Sequence, residues 1–222
     1  VLGQMSAGIA HETNQTLSAI TYNAHNANVL LKRDRIDEAS TFIAKIGRIA
    51  EQMGKTVNHL KVFARRPSQE IEPVAPNEIV RYALSLFEER ITKNNIQIST
   101  HKLDANLRVL GEAVRLEQVI VNLIANALDA METSNVRNLT LSCFRQNNRG
   151  VIEVKDTGYG ISSEIRTKIF DPFFTAKEVG KGLGLGLSIT QKIITDLNGT
   201  LEIQSIEDQG STFRIYLELE IQ

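Results

Sequence analysis

The sequence is poor in several residue types, and each scarcity excludes a class of protein. It has one cysteine, four prolines and no tryptophan among 222 residues. A single cysteine excludes an internal disulfide framework and a cysteine-based zinc cluster, and it is typical of a reducing compartment. No stretch approaches the roughly 20 apolar residues that span a bilayer, and no signal peptide opens the chain. We therefore expect a soluble, cytoplasmic fold.

The net charge is small, but the charged residues are unevenly distributed along the chain. The 25 basic and 26 acidic residues give a net charge of −1, which does not favour a nucleic-acid partner. Residues 1–66 nevertheless carry nine basic and five acidic residues, so the remainder is acidic. This asymmetry predicts a domain boundary near residue 66. The chain also begins without methionine, in helix-like sequence, so we interpret it as part of a longer protein.

Two apolar seams predict an antiparallel helical hairpin. Small and apolar residues alternate three and four apart from Ala10 to Leu31 and again from Ile36 to Ala64, with a polar turn at Asp34 between them. A single hairpin would leave each helix with an open flank. We therefore predict that residues 1–66 form a homodimeric four-helix bundle. The alternative is a monomer whose hairpin packs on its own second domain.

The rest of the chain predicts an α+β sandwich, a mixed sheet with helices on one face. Residues 67–76 are rich in proline and predict a linker, so the second domain is expected over residues 77–222. Asn77 is the expected N-cap of a helix over 78–93, and a second helix is expected over 113–132. A short helix over 163–169 and a longer one over 185–197 complete the set. The predicted strands are 96–100, 108–110, 138–145, 150–155, 200–205 and 211–218.

Four segments of this second domain carry unusual chemistry. Asn122 and Asn126 lie one turn apart on an otherwise apolar helix, where mid-helix asparagine is unfavourable and a carboxamide needs a partner. Asp156-Thr157-Gly158-Tyr159-Gly160-Ile161 ends a strand. Clustered phenylalanines follow in Phe170-Asp171-Pro172-Phe173-Phe174. Gly180-Lys181-Gly182-Leu183-Gly184-Leu185-Gly186 then leads into a helix N-terminus, where backbone N–H groups bind phosphate.

Taken in order, these segments resemble the N, G1, F and G2 boxes of the catalytic domain of sensor histidine kinases. Gly210-Ser211-Thr212-Phe213 resembles the last short motif of that family, and His11-Glu12-Thr13-Asn14-Gln15-Thr16-Leu17 resembles its phospho-acceptor H box. The resemblance covers essentially the whole chain. The sequence around His11 is similar to that of sensors of the C4-dicarboxylate transport type.

The resemblance implies a role for each matched residue. Asp156 would accept a hydrogen bond from the adenine amino group of ATP, Asn126 would ligate Mg²⁺, and Asn122 would support the metal or the phosphates. His11 would attack the γ-phosphate with Glu12 as the base. Residues 171–182 would form a lid. The remaining expected nucleotide-binding residues are Gly158, Gly160, Lys177, Lys181, Gly182, Gly184, Gly186 and Thr212.

The implied function is that of an ATP-dependent protein-histidine kinase of a two-component system. His11 would pass the phosphoryl group to an aspartate of a separate response regulator receiver domain. The full-length parent would be anchored in the bacterial inner membrane and face the cytoplasm. Thr13 and Thr16 depart from the usual H box, which leaves open an ATP-binding dimeric switch with impaired autophosphorylation. A third alternative, an ATP hydrolase, is disfavoured because Asn122 is a poor base.

Overall fold

The computed structural model describes residues 2–64, 71–176 and 184–220, with side chains except at 2–15, 51–52, 55–64 and 101. The chain divides into two compact units, Val1–Arg66 and Pro67–Gln222. The predicted linker over 67–76 contains a strand that pairs within the second unit, so its residues 72–74 belong to that unit's structure. Each unit is described by itself below.

The first unit contains the predicted helical hairpin. Helix α1 (Leu2–Leu31) and helix α2 (Ile36–Ala64) pack together along their length. Asp34, at φ 58°, reverses the chain between them, and the exposed Arg35 side chain pairs with Glu38 at 2.5 Å. Asp37 and Glu38 lie in the first turn of α2, where negative charge is favourable.

Among the described side chains, about every second position of each apolar seam is covered by the other helix. Ala27 and Ala39 are buried, and Ile20, Ile46 and Met53 are half-buried. The alternate seam positions point away from the hairpin, and four of them are large and exposed: Leu17 (46% exposed), Leu31 (46%), Ile36 (66%) and Ile43 (52%). The described part of the hairpin thus presents an uncovered stripe of leucine and isoleucine at heptad spacing.

The second unit is a mixed five-stranded sheet with helices packed against one side. Its strands are β2 (Gln97–Leu103), β4 (Asn138–Gln146), β5 (Arg149–Asp156), β6 (Thr200–Ile206) and β7 (Gly210–Glu218). Their spatial order is β2-β4-β5-β7-β6, with β2 parallel to β4 and the other pairs antiparallel. A separate antiparallel pair joins β1 (Glu72–Val74) to β3 (Val109–Gly111).

The core lies between the sheet and three helices, α3 (Pro76–Ser85), α5 (Ala113–Ala130) and α6 (Gly186–Asp196). Alternate strand residues face these helices, because side chains of a strand point to opposite sides in turn. Opposed residues such as Leu141, Val154 and Phe213 share the inner side. Seven residues of α5 are buried against them: Leu116, Val119, Ile120, Leu123, Ile124, Ala127 and Leu128.

Three details of the sequence prediction are wrong. Asn77 is not the N-cap of α3, because the helix begins at Pro76 with Ala75 at the cap position. Proline suits the first helical position, since it has a preset φ and its missing N–H needs no partner there. The expected helix over 78–93 is two helices, α3 and α4 (Glu88–Lys93), and no glycine or proline in the sequence marks the break. The expected helix over 163–169 is a turn ending in a 3₁₀ segment, Lys168–Phe170.

Candidate nucleotide-binding site

Asp156 is the last residue of β5 and the most buried carboxylate among the described residues of the unit, with 3% of its surface exposed. Its Oδ1 accepts hydrogen bonds from the backbone N–H of Gly158 at 2.8 Å and of Ser211 at 3.3 Å. Burial raises the pKa of this carboxyl, and the two backbone donors oppose the rise. Both bonds use Oδ1, which leaves Oδ2 as the oxygen that a ligand donor would reach.

Two buried serines hold the surroundings of Asp156 in place. The hydroxyl of Ser205 accepts from the Ile161 N–H at 2.8 Å, donates to the Gly210 carbonyl at 3.0 Å and lies 2.9 Å from the hydroxyl of Ser211. This cluster joins the ends of β5, β6 and β7 beneath one carboxylate. Sequence reasoning missed Ser205, since a single serine at a strand end carries no signal until the strand pairing is known.

Thr212 is a correction to the predicted set. It pairs with Lys155 on β5, and alternation places both on the side of the sheet opposite Asp156. Ser211, one residue earlier, lies on the same side as Asp156 and donates its N–H to it. The sequence motif Gly210–Phe213 was therefore located correctly, but Ser211 rather than Thr212 is its residue that contacts Asp156.

Asn122 on α5 is tied to the start of α6. Its Nδ2 donates to the hydroxyl of the buried Thr190 at 2.9 Å, and its Oδ1 lies against Gly186, the first residue of α6. A side chain at position 186 would overlap this carboxamide. Asn122 thus packs against the first turns of α6, and its contacts within the protein explain why a mid-helix asparagine is tolerated.

Helix α6 covers α5 only as far as Asn122. Arg115, near the start of α5, pairs with Asp196 at the end of α6 at 2.5 Å, so the two helices run antiparallel. Asn126 lies one turn beyond Asn122 on the same side of α5, past the first residue of α6. Within the described residues, α6 therefore does not cover the length of α5 between the N-terminus of α6 and the loop after Asp156, which is called the open length of α5 below. The loop packs on Ala130 through the Tyr159 N–H at 3.2 Å.

Three of the predicted glycines, two near Asp156 and one before α6, make room for other parts of the protein. A Cβ on Gly158 would lie 2.6 Å from that of Ala130, and one on Gly160 would overlap the carbonyl of Ile206. Gly160 and Gly184 also have positive φ, of 68° and 64°, and a Cβ on Gly184 would overlap the backbone of Phe174. These contacts account for the glycines without a ligand, and direct approach to a nucleotide stays a prediction.

Several predicted residues cannot be placed in the site. Lys177, Lys181 and Gly182 lie outside the described residues. His11 and Glu12 lie in α1, in the first unit, and their side chains are outside the described set. The structure therefore brings together Asp156, Gly158 and Gly160 at one end of the open length of α5, and Asn122, Gly184 and Gly186 at the other.

The described residues suit a magnesium ion that is held mainly by the nucleotide. Across residues 2–64, 71–176 and 184–220, no three His, Cys, Asp or Glu side chains form a metal cluster. Mg²⁺ in nucleotide sites is commonly held by one or two protein oxygens and by the phosphates themselves. The half-exposed Asn126 on the open length of α5 suits that mode, with its carbonyl oxygen as the protein ligand.

This arrangement of sheet, glycine turns and helix N-terminus suits a nucleotide, and comparison with known proteins identifies the class. Residues 111–221 match the family described as Histidine kinase-, DNA gyrase B-, and HSP90-like ATPase. The catalytic domain of histidine kinase ThkA is 34% identical and superposes with a TM-score of 0.60 over 68% of this chain and 96% of that one. The chain belongs to the two-component sensor histidine kinases.

Among the curated relatives, the C4-dicarboxylate transport sensor protein DctB of Rhizobium meliloti (strain 1021) is 36% identical over 98% of this chain. The ThkA kinase solved in complex with response regulator protein TrrA is 26% identical and superposes with a TM-score of 0.77 over 100% of this chain and 62% of that one. The chain spans only about a third of DctB, 35% of its length. No helix in the described part of the chain has the length and apolar character to cross a membrane.

Proposed function

We propose that this chain carries out ATP-dependent autophosphorylation of His11. The site between Asp156 and the start of α6 binds ATP, with the adenine amino group donating to Asp156. The imidazole nitrogen of His11 attacks the γ-phosphorus, the bond from that phosphorus to the bridging oxygen breaks, and ADP leaves. Glu12 accepts the imidazole proton. Bound Mg²⁺, held by Asn126 and phosphate oxygens, would neutralise phosphate charge.

The observation that carries the proposal is the buried carboxylate at the end of β5. Oδ2 of Asp156 is an acceptor, so it selects a base that presents an amino group, and guanine presents a carbonyl at that position. The open length of α5 then leads from Asp156 to the backbone N–H groups at the start of α6, which suit a phosphate chain. Adenine and phosphate sites thus lie in line along one helix.

Two partners follow from the same proposal. The first is a second copy of this chain, bound through α1 and α2. The stripe residues Leu17, Leu31, Ile36 and Ile43 are 46–66% exposed in the single hairpin, and a second copy supplies a stripe of the same heptad spacing. The second is the receiver domain of a response regulator, which takes the phosphoryl group from His11 onto an aspartate. The parent protein is anchored in the bacterial inner membrane with this part in the cytoplasm.

Labelling with γ-³²P ATP and Mg²⁺ tests the proposal. The wild-type chain should acquire an acid-labile, base-stable label, as expected of phosphohistidine, and His11→Ala should acquire none. His25→Ala is the matched control, because His25 is exposed on the same helix α1 and should label as the wild type does. A wild-type dimer that binds ATP but takes no label would support the switch with impaired autophosphorylation instead. Phosphate release that survives His11→Ala would support a hydrolase.

A further inference from the structure

Arg90 lies outside all the matched motifs, and its side chain reaches the open length of α5 by pairing with Asp129. Asp129 lies seven residues after Asn122 and three after Asn126, so the three share one side of the helix. The guanidinium of Arg90, on α4, pairs with the Asp129 carboxylate through Nη2. Arg90 is thereby held on the same side of α5 as the two asparagines, just beyond Asn126.

The pair is neither deeply buried nor freely solvated. The side chains of Arg90 and Asp129 are 34% and 30% exposed. Arginine presents five N–H donors in a planar fork, and the bond to Asp129 uses one edge of it. The remaining donors form no hydrogen bond within the part of the chain that the structure describes, so this cation has capacity for a second anion.

The Arg90–Asp129 pair lies next to the loop that follows Asp156. The Tyr159 N–H donates to Ala130, the residue after Asp129. Burial raises the pKa of the Tyr159 hydroxyl first, and the charges of Asp129 and Asp156 raise it further. The charges of Asp129 and Asp156 therefore act on the same hydroxyl. A ligand lying along α5 from Asp156 towards α6 passes the Arg90–Asp129 pair.

We infer that Arg90 is a phosphate-binding residue of the nucleotide site and that Asp129 holds it in position while the site is empty. This inference rests on the proposed ATP-binding function and adds to it a cation from outside the motifs. The ligand chemistry is the phosphate chain of a nucleoside triphosphate. Guanidinium recognises phosphate through paired N–H donors, which suits this geometry. On binding, phosphate oxygens take the donors that Asp129 leaves unused.

Paired substitutions separate this role from a structural ion pair. Arg90→Gln removes the cation, and it should raise the Kd for ATP about tenfold to a hundredfold. Asp129→Asn breaks the same ion pair but keeps the cation and removes a negative charge near the phosphates. It should leave the Kd for ATP unchanged or lower it a few fold. A structural ion pair would instead make both variants lose affinity together.

Arg214→Gln is the matched control for Arg90→Gln. Arg214 pairs with Glu153 at 2.7 Å and is 28% exposed, close to the value for Arg90, but it lies on the side of the sheet away from α5. It should leave the Kd for ATP unchanged. Adenosine, which lacks phosphate, serves as the second ligand, and its Kd should be the same for wild type and all three variants. Calorimetry on the 222-residue chain measures both ligands.

Each outcome is decisive. Equal ATP affinity for wild type and folded Arg90→Gln overturns the inference and leaves the proposed function standing. A parallel loss of ATP affinity in Asp129→Asn, or a loss of adenosine binding in Arg90→Gln, also overturns it. A wild-type chain that binds neither ligand overturns the proposed function together with the inference. If Arg90→Gln does not fold, Arg90→Lys replaces it, and its affinity for ATP should fall less, because it keeps the charge without the fork.

Discussion

The two units differ in how much of their apolar surface they bury unaided. In the described part of the hairpin, the fully buried apolar side chains are Ala27 and Ala39, and the leucines and isoleucines of the outer stripe are exposed. In the second unit, α5 alone buries seven apolar residues against the sheet. Burial of a leucine or isoleucine contributes about 1.5–3 kcal/mol. The second unit therefore holds its own core, whereas the described part of the hairpin buries few large apolar side chains by itself.

The largest expected effect is a core truncation in the second unit. Leu123→Ala removes a side chain that is 1% exposed, and it should lower the free energy of unfolding of that unit by about 2–5 kcal/mol. Leu17→Ala is the matched change in the hairpin and should cost under about 1 kcal/mol in dilute protein. Hydrogen exchange of α5 and α1 amides under denaturant measures both. Equal costs would contradict the contrast between the units.

Charge on the outer stripe should break the proposed dimer. Ile43→Lys places an ammonium where a second copy would bury it, and it should raise the dimer dissociation constant at least about a hundredfold. Thr41→Lys adds the same charge to α2 away from the stripe and should have little effect. Sedimentation at several concentrations reads the outcome. If both variants dimerise as the wild type does, the stripe is not the interface.

Glycine substitution should have opposite signs in the two units. Gly160→Ala forces a Cβ onto the Ile206 carbonyl at positive φ, and it should destabilise the second unit by about 1–3 kcal/mol. Gly47→Ala lies within α2 with nothing within 4 Å of the new Cβ, and it should stabilise the hairpin by about 0.5–1 kcal/mol. Thermal unfolding of each variant tests the pair. A stabilising Gly160→Ala would show that the loop is not strained by the added carbon.

Asp156→Asn should separate binding from stability. Because the pKa of Asp156 is raised in the folded state, the unfolded chain loses this proton first as pH rises, and wild-type stability falls through that window. The variant lacks that loss, so it should be more stable at neutral pH by about 0.5–2 kcal/mol, with the difference vanishing at low pH. Its affinity for ATP should fall sharply. Urea titrations at several pH values measure the first effect and calorimetry the second.

The sequence predicted helices well where the apolar periodicity is long. It predicted strands less well where pairing with another strand determines the structure. Helices α1, α2, α5 and α6 are confirmed because their apolar spacing extends over three or more turns. Strand β1 was missed because Glu72–Val74 is short, contains proline and is a strand only through pairing with β3. The choice of Thr212 failed for a related reason, since which of two neighbours faces the site depends on register. Arg90 could not be predicted as a site residue from the sequence, because it belongs to no recognised motif.

The glycines around Asp156 determine which positions of this loop can accept other residues. The loop keeps its shape through positions that lack a side chain, namely Gly158, Gly160 and Gly210, each in contact with other backbone. Tyr159, between two of them, is 45% exposed. A library randomised over these positions should return glycine at 158, 160 and 210 and a wide range of residues at 159. The end of the proposed nucleotide site near Asp156 can thus acquire new surface chemistry at position 159 while the glycine positions beneath it stay unchanged.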